Sequence, residues 1–144
     1  MKYQKYFFIF ILLITIQTVI SGCTENNLNS ENPTITKEFL LKNAKVGMTE
    51  SEITRLFGHE AFREFGDGSF VWIFDKVKND FIYKPDLQKV AFEDIKKGNI
   101  EYQLYINVIN NKAIMFSYFY KGDNNEIWNF EIHSDGSVND AQAS

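Results

Sequence analysis

Apolar residues open the chain as an unbroken run, Phe7–Ile14, behind Lys2 and Lys5, and continue more weakly to Ile20 before the small residues Ser21 and Gly22. The run is shorter than the ~20 apolar residues a membrane-spanning helix needs. Charge, apolar stretch and small residues stand in the order of a secretory signal. Residues 24–35, TENNLNSENPTI, carry no apolar period and read as a flexible tether. Helical spacing begins after it. Thr36 is placed to cap a helix containing Phe39, Leu40 and Asn43, and Thr49 to cap a second one. Glu52, three residues beyond Thr49, completes a capping box. Ile53, Leu56 and Phe57 form one stripe, and Gly58 stands where a left-handed C-terminal cap belongs.

The period then changes to alternation in SFVWIFD, IEYQLYINVI, AIMFSYFYK and EIWNFEIH, which predicts four strands. Residues 76–98 between the first two are charged and irregular, with one helical turn expected over Val90–Ile95. A tight turn at Asn110-Asn111 sets Leu104 opposite Ser117 and Tyr102 opposite Phe119. Placing Tyr120 opposite Ile127 then sets Phe119 against Trp128 and Ser117 against Phe130. The expected core face is Tyr102, Leu104, Ile106, Val108, Ala113, Met115, Phe119, Trp128, Phe130 and Ile132, covered by both helices. The other face, with Gln103, Tyr105, Asn107, Phe116, Tyr118, Tyr120, Asn129, Glu131 and His133, reads as too polar for a second core. The fold class is therefore α+β: two N-terminal helices packed on one face of a four-stranded antiparallel meander. The organisation is signal peptide 1–22, modified cysteine and tether 23–35, and one domain over 36–144.

Charge narrows the partners. Without residues 1–22 the chain keeps 13 basic and 19 acidic side chains, a net charge of −6. That excludes nucleic acid, which is bound through clustered Lys and Arg, and a polybasic membrane patch. The sole cysteine, Cys23, has no disulfide partner within the chain. Neither His59 nor His133 lies in a nucleophile motif. Glu131, His133 and Asp135 share one strand face at alternate positions, but an expected metal site would need further ligands and supporting partners, and they read as surface polar groups. No cofactor, metal or small-molecule substrate is expected. Tyr105, Phe116, Tyr118 and Tyr120, predicted together on the non-core face, are the candidate partner-binding residues, since tyrosine offers both a ring and a hydroxyl to an interface.

The segment Ile20-Ser21-Gly22-Cys23 resembles the lipobox of bacterial lipoproteins. The resemblance implies cleavage before Cys23 and attachment of a diacylglycerol to its thiol. The two chains of that group suffice for stable anchoring. The segment VGMTESEITRLFG, residues 46–58, resembles the signature of small bacterial lipoproteins of the SmpA/OmlA (BamE-like) family, and FVWIFD follows as an aromatic strand does there. The architecture expected is similar to that of β-lactamase-inhibitory proteins. His59 and Glu60 follow Gly58 where the family usually carries a proline. The resemblance implies a non-catalytic, lipid-anchored protein of the bacterial cell envelope, on the cell membrane or the outer membrane and facing away from the cytoplasm. It would act as a protein-binding or assembly-accessory module. The alternative is an inhibitor or immunity-type lipoprotein that neutralises an enzyme or toxin at the membrane.

Overall fold

A computed structural model describes residues 34–66 and 68–143, all within one compact unit, Asn32–Ser144. The signal, the lipobox and Cys23 lie outside the described residues. Helix α1, Lys37–Asn43, starts where Thr36 Oγ1 accepts from the Phe39 amide at 3.1 Å. Helix α2, Glu50–Phe57, carries the complete capping box. Thr49 Oγ1 accepts from the Glu52 amide at 3.3 Å, and Glu52 Oε2 accepts from the Thr49 amide at 2.8 Å. These bonds, the backbone one foremost, hold the Glu52 carboxyl below its ordinary range. Gly47, at φ 87°, turns the connection between the helices. Its amide donates to the Ala113 carbonyl at 2.7 Å and the Ala113 amide donates to Met48 at 2.8 Å. The Gly47–Thr49 turn is thus clamped to the strand it faces.

The sheet is larger than the four strands expected, and the two-helix description is corrected with it. Six strands run antiparallel in the order β1-β2-β3-β4-β5-β6. They are β1 Phe62–Gly66, β2 Ser69–Val77, β3 Ile100–Ile109, β4 Lys112–Lys121, β5 Ile127–Ile132 and β6 Val138–Gln142. The two additional strands, β1 and β6, are five residues each. They lie at the sheet edges, where one side of the backbone stays solvated and apolar alternation is not required. A third helix, α3 Phe92–Lys96, forms inside the 76–98 segment.

Register explains the second correction. Ile109 faces Lys112 and Val108 faces Ala113, as the Asn110-Asn111 turn requires, but Asn107 faces Met115. Ile114 is left unopposed in a β-bulge, which adds one residue to one strand. Every later residue of β4 therefore changes face. Leu104 meets Tyr118 rather than Ser117, and Tyr102 meets Tyr120 rather than Phe119. The same displacement reaches β5, where Tyr120 meets Trp128 and Tyr118 meets Phe130. Phe116 and Tyr118 consequently enter the main core with Trp72, Leu104, Ile106 and Phe130, beneath Leu40, Ile53 and Phe57 of the helices. Phe119 leaves that side.

The opposite face is not bare. Residues 78–98 cross it as a strap, and Ile95, Ile100 and Ile127 are fully buried there with Phe81, Tyr83, Val90, Phe92 and Phe119 packed around them. This second cluster overturns the expectation of a face too polar to be covered.

Candidate partner-binding surface

The four aromatic residues predicted to share one face are distributed over both. Phe116 and Tyr118 are buried in the main core at 0% and 5% exposure, and Tyr105 is buried on the opposite face beneath the strap. Tyr120 is half-buried and stands on the helix side near β6. No single surface contains the set.

Polar groups fix the strap over Tyr105. The Tyr83 hydroxyl donates to Asp75 Oδ2, and Gln103 Nε2 donates to the Tyr83 hydroxyl at 3.1 Å. Gln103 Oε1 accepts from the Ala91 amide at 2.8 Å, and the Tyr105 hydroxyl donates to the Asp86 carbonyl at 3.1 Å. Gln103 is completely buried, and each of its amide ends has a partner, as burial demands. Burial raises the Asp75 carboxyl above its ordinary value, although the Tyr83 hydrogen bond opposes the shift. Burial likewise raises Tyr83 and pushes Tyr105 up to about 12. These hydroxyls stay protonated and act as fixed donors at neutral pH.

Beside this network the strap does not close on the sheet. A cleft of about 240 Å³ remains, lined by Val71, Leu87, Gln88, Lys89, Val90, Tyr105, Asn107, Ser117 and Phe119. Val71 and Leu87 also line an adjoining cleft of about 200 Å³ with Phe65 and Phe70 of the β1–β2 hairpin. Phe65 packs edge-on against Phe70 at 4.8 Å yet remains 69% exposed. The surface therefore combines apolar Val71, Leu87, Val90 and Phe119 with polar Gln88, Lys89, Asn107 and Ser117 around Tyr105, and the exposed Phe65 stands beside it.

Ser117, Glu131 and His133 do not form a hydroxyl–imidazole pair. The Ser117 hydroxyl is held by Glu131 Oε1 at 3.4 Å, and Glu131 Oε2 lies 3.6 Å from His133 Nε2. The carboxylate, rather than the imidazole, thus faces the hydroxyl, unlike a nucleophile oriented by a histidine base. Asp135 turns to accept from the Ser137 amide at 2.8 Å, so Glu131, His133 and Asp135 do not converge. His59 is an exposed loop residue after α2. Among the described residues no group of three or more His, Cys, Asp and Glu is arranged to hold a metal ion.

Sequence reasoning did not find Leu87, Val90 or Phe119 as surface-building residues. A signal was present in FIYKPDLQKVAF, where Phe81, Tyr83, Leu87, Val90 and Phe92 are apolar among charges. Its irregular spacing matches neither a helix nor a strand. Among the described residues no helix is long and apolar enough to cross a membrane. Compared with protein-family models, with curated proteins and with solved structures, the chain matches none.

Proposed function

We propose that the chain is a lipid-anchored protein of the bacterial cell envelope whose domain works as a non-catalytic protein-binding module. Its location is argued from the signal-like N-terminus and the lipobox ending at Cys23. Its mode of action is argued from one observation, the cleft of mixed apolar and polar lining between Leu87 of the strap and Tyr105, Asn107 and Phe119 of the sheet. A site of that composition suits an apolar side chain presented by a protein partner. The likeness of residues 46–58 to the SmpA/OmlA signature supports an assembly-accessory role. An inhibitor or immunity protein would use the same surface, and the partner's identity separates the two.

The test is a photo-crosslinking residue placed at Leu87 of the full chain in cells that carry the gene, with one at the exposed Leu41 on the helix side as control. A discrete adduct is expected at Leu87 and none at Leu41. Asn107→Trp, which fills the cleft from a half-exposed position, should remove the adduct without changing thermal unfolding. An adduct indifferent to that substitution, or no adduct, overturns the proposal. An envelope assembly component in the adduct supports the accessory role, and an enzyme or toxin the inhibitor.

A further inference from the structure

On the helix side of the sheet a third cleft, of about 330 Å³, lies between the start of α1, the β4–β5 hairpin and β6, and its lining residue Lys121 reaches the Lys96 carbonyl of the strap at 2.9 Å. Its volume is within the range of small-molecule sites. Tyr120 and Trp128, directly paired across β4 and β5, are its aromatic residues, and both are half-buried. Lys37, Asn124, Glu126 and Asp140 supply polar groups from three separate parts of the chain.

The polar groups are already oriented. Lys37 Nζ donates to Asp140 Oδ2 at 2.9 Å and the Tyr120 hydroxyl donates to Asp140 Oδ1 at 3.2 Å, which fixes that carboxylate. Trp128 Nε1 donates to Glu126 Oε1 at 2.9 Å and so locks the indole ring. Glu126 lines the cleft, and its carboxyl is held below the ordinary range by the Trp128 bond foremost and by backbone hydrogen bonds. Gly122 keeps the hairpin against the indole, because a Cβ there would stand 2.7 Å from Trp128 Cδ1.

We propose that this cleft binds a neutral carbohydrate, one sugar unit of a glycan. The C–H face of a pyranose packs on an aromatic ring, while its hydroxyls both donate and accept. Carboxylates, an amide and an ammonium around two rings match that pattern. Lys37 is neutralised by Asp140, and Asp123 and Glu126 outnumber Lys121 among the remaining charged residues of the lining. That balance disfavours phosphate and other anions. The walls are too polar for an apolar peptide side chain. This inference is independent of the lipid anchor and of the strap-side cleft.

The experiment titrates the full chain with maltotetraose, cellotetraose and an N-acetylglucosamine tetramer, reading the indole N–H resonances by NMR. Concentrations reach about 10 mM, where even a millimolar site saturates. A saturable shift of the Trp128 resonance with at least one sugar is expected, and none for the fully buried Trp72. Glu126→Gln, which exchanges a charged acceptor for a neutral one, and Asn124→Ala, which removes a neutral hydrogen bond, should each weaken that binding about fivefold, with thermal unfolding unchanged. No saturable shift with any of the three sugars overturns the inference. So does a shift reproduced by inorganic phosphate, or one that survives Glu126→Gln with unaltered affinity.

Discussion

The Tyr118 hydroxyl donates a 2.9 Å hydrogen bond to the Ile35 carbonyl, joining β4 to the segment ahead of α1 across 83 positions of the chain. Both residues are buried, at 5% and 2% exposure. A tyrosine that alternation assigned to an interface is instead a core tie, and burial raises its hydroxyl well above the ordinary tyrosine range. Tyr118→Phe would leave the ring in place and the carbonyl without its donor. The expected loss is about 1–3 kcal/mol, the cost of a buried unsatisfied group. Urea unfolding measures it, and an unchanged midpoint would show the carbonyl finds water instead.

Ile114 sets which face β4 presents, because it is the unopposed residue of the bulge. Deleting it would leave one-to-one pairing, because Met115 would follow Ala113 opposite Asn107 while Phe116 and Tyr118 keep their places opposite Ile106 and Leu104. The deletion variant should therefore keep cooperative unfolding and the same core. Ile114→Ala keeps the residue count and removes only half-buried apolar surface, so about 1–2 kcal/mol is expected. Near-ultraviolet circular dichroism checks both variants, with the native aromatic signal expected in each, and its loss in the deletion would show that the core needs the bulge itself and not only the register it sets.

Asp75 makes strap stability depend on pH. Burial raises its carboxyl in the folded state, so the folded chain holds this proton more tightly than the unfolded one. The associated stability is complete below the unfolded value of about 4 and is lost as pH rises through the raised folded value. Asp75→Asn retains an acceptor for the Tyr83 hydroxyl and never ionises. Its stability relative to the native chain should therefore increase as pH rises from about 4 through the raised folded value and then level off. Glu52, Glu126 and Asp135, whose carboxyls are held low, contribute to both proteins and cancel in the difference. A difference that is flat, or that falls with pH, would show that Asp75 ionises as freely in the folded state as in the unfolded one.

Cys23→Ser tests the anchor. The variant should fail to incorporate labelled palmitate and should accumulate with its N-terminal segment uncleaved. A variant still cleaved and membrane-held would rule out the lipobox reading while leaving both cleft proposals standing.

The alternation in β3 and β5 was readable because their apolar and polar positions differ clearly, as in Leu104 against Gln103 or Phe130 against Asn129. The capping box at Thr49 and the turn at Asn110-Asn111 were readable because each rests on local chemistry, and both asparagines have positive φ, 49° and 60°. Strand β4 was not. In AIMFSYFY nearly every position is apolar or aromatic, so parity has no local marker and a one-residue bulge leaves no trace in composition. Each hairpin register was assigned on the same strand, so the two errors agreed with one another. The edge strands FREFG and VNDAQ were invisible for the opposite reason, having too few apolar residues to alternate. The candidate face failed with β4, since Phe116, Tyr118 and Tyr120 were assigned by parity alone.

Strand order that follows chain order has a consequence for how the molecule assembles. Each hairpin of the sheet forms from neighbours in sequence, which carries a small loop-closure cost and favours rapid folding. The helices have no such local partner. Beyond Trp72 and Phe74 of β2, Leu40, Ile53 and Phe57 must wait for the core residues of β3, β4 and β5, and the Gly47–Ala113 and Tyr118–Ile35 bonds join residues far apart in the chain. The earliest-synthesised elements of the domain thus become fully fixed late, and a chain cut after β2 would offer both helices only Trp72 and Phe74 of the core floor to pack against.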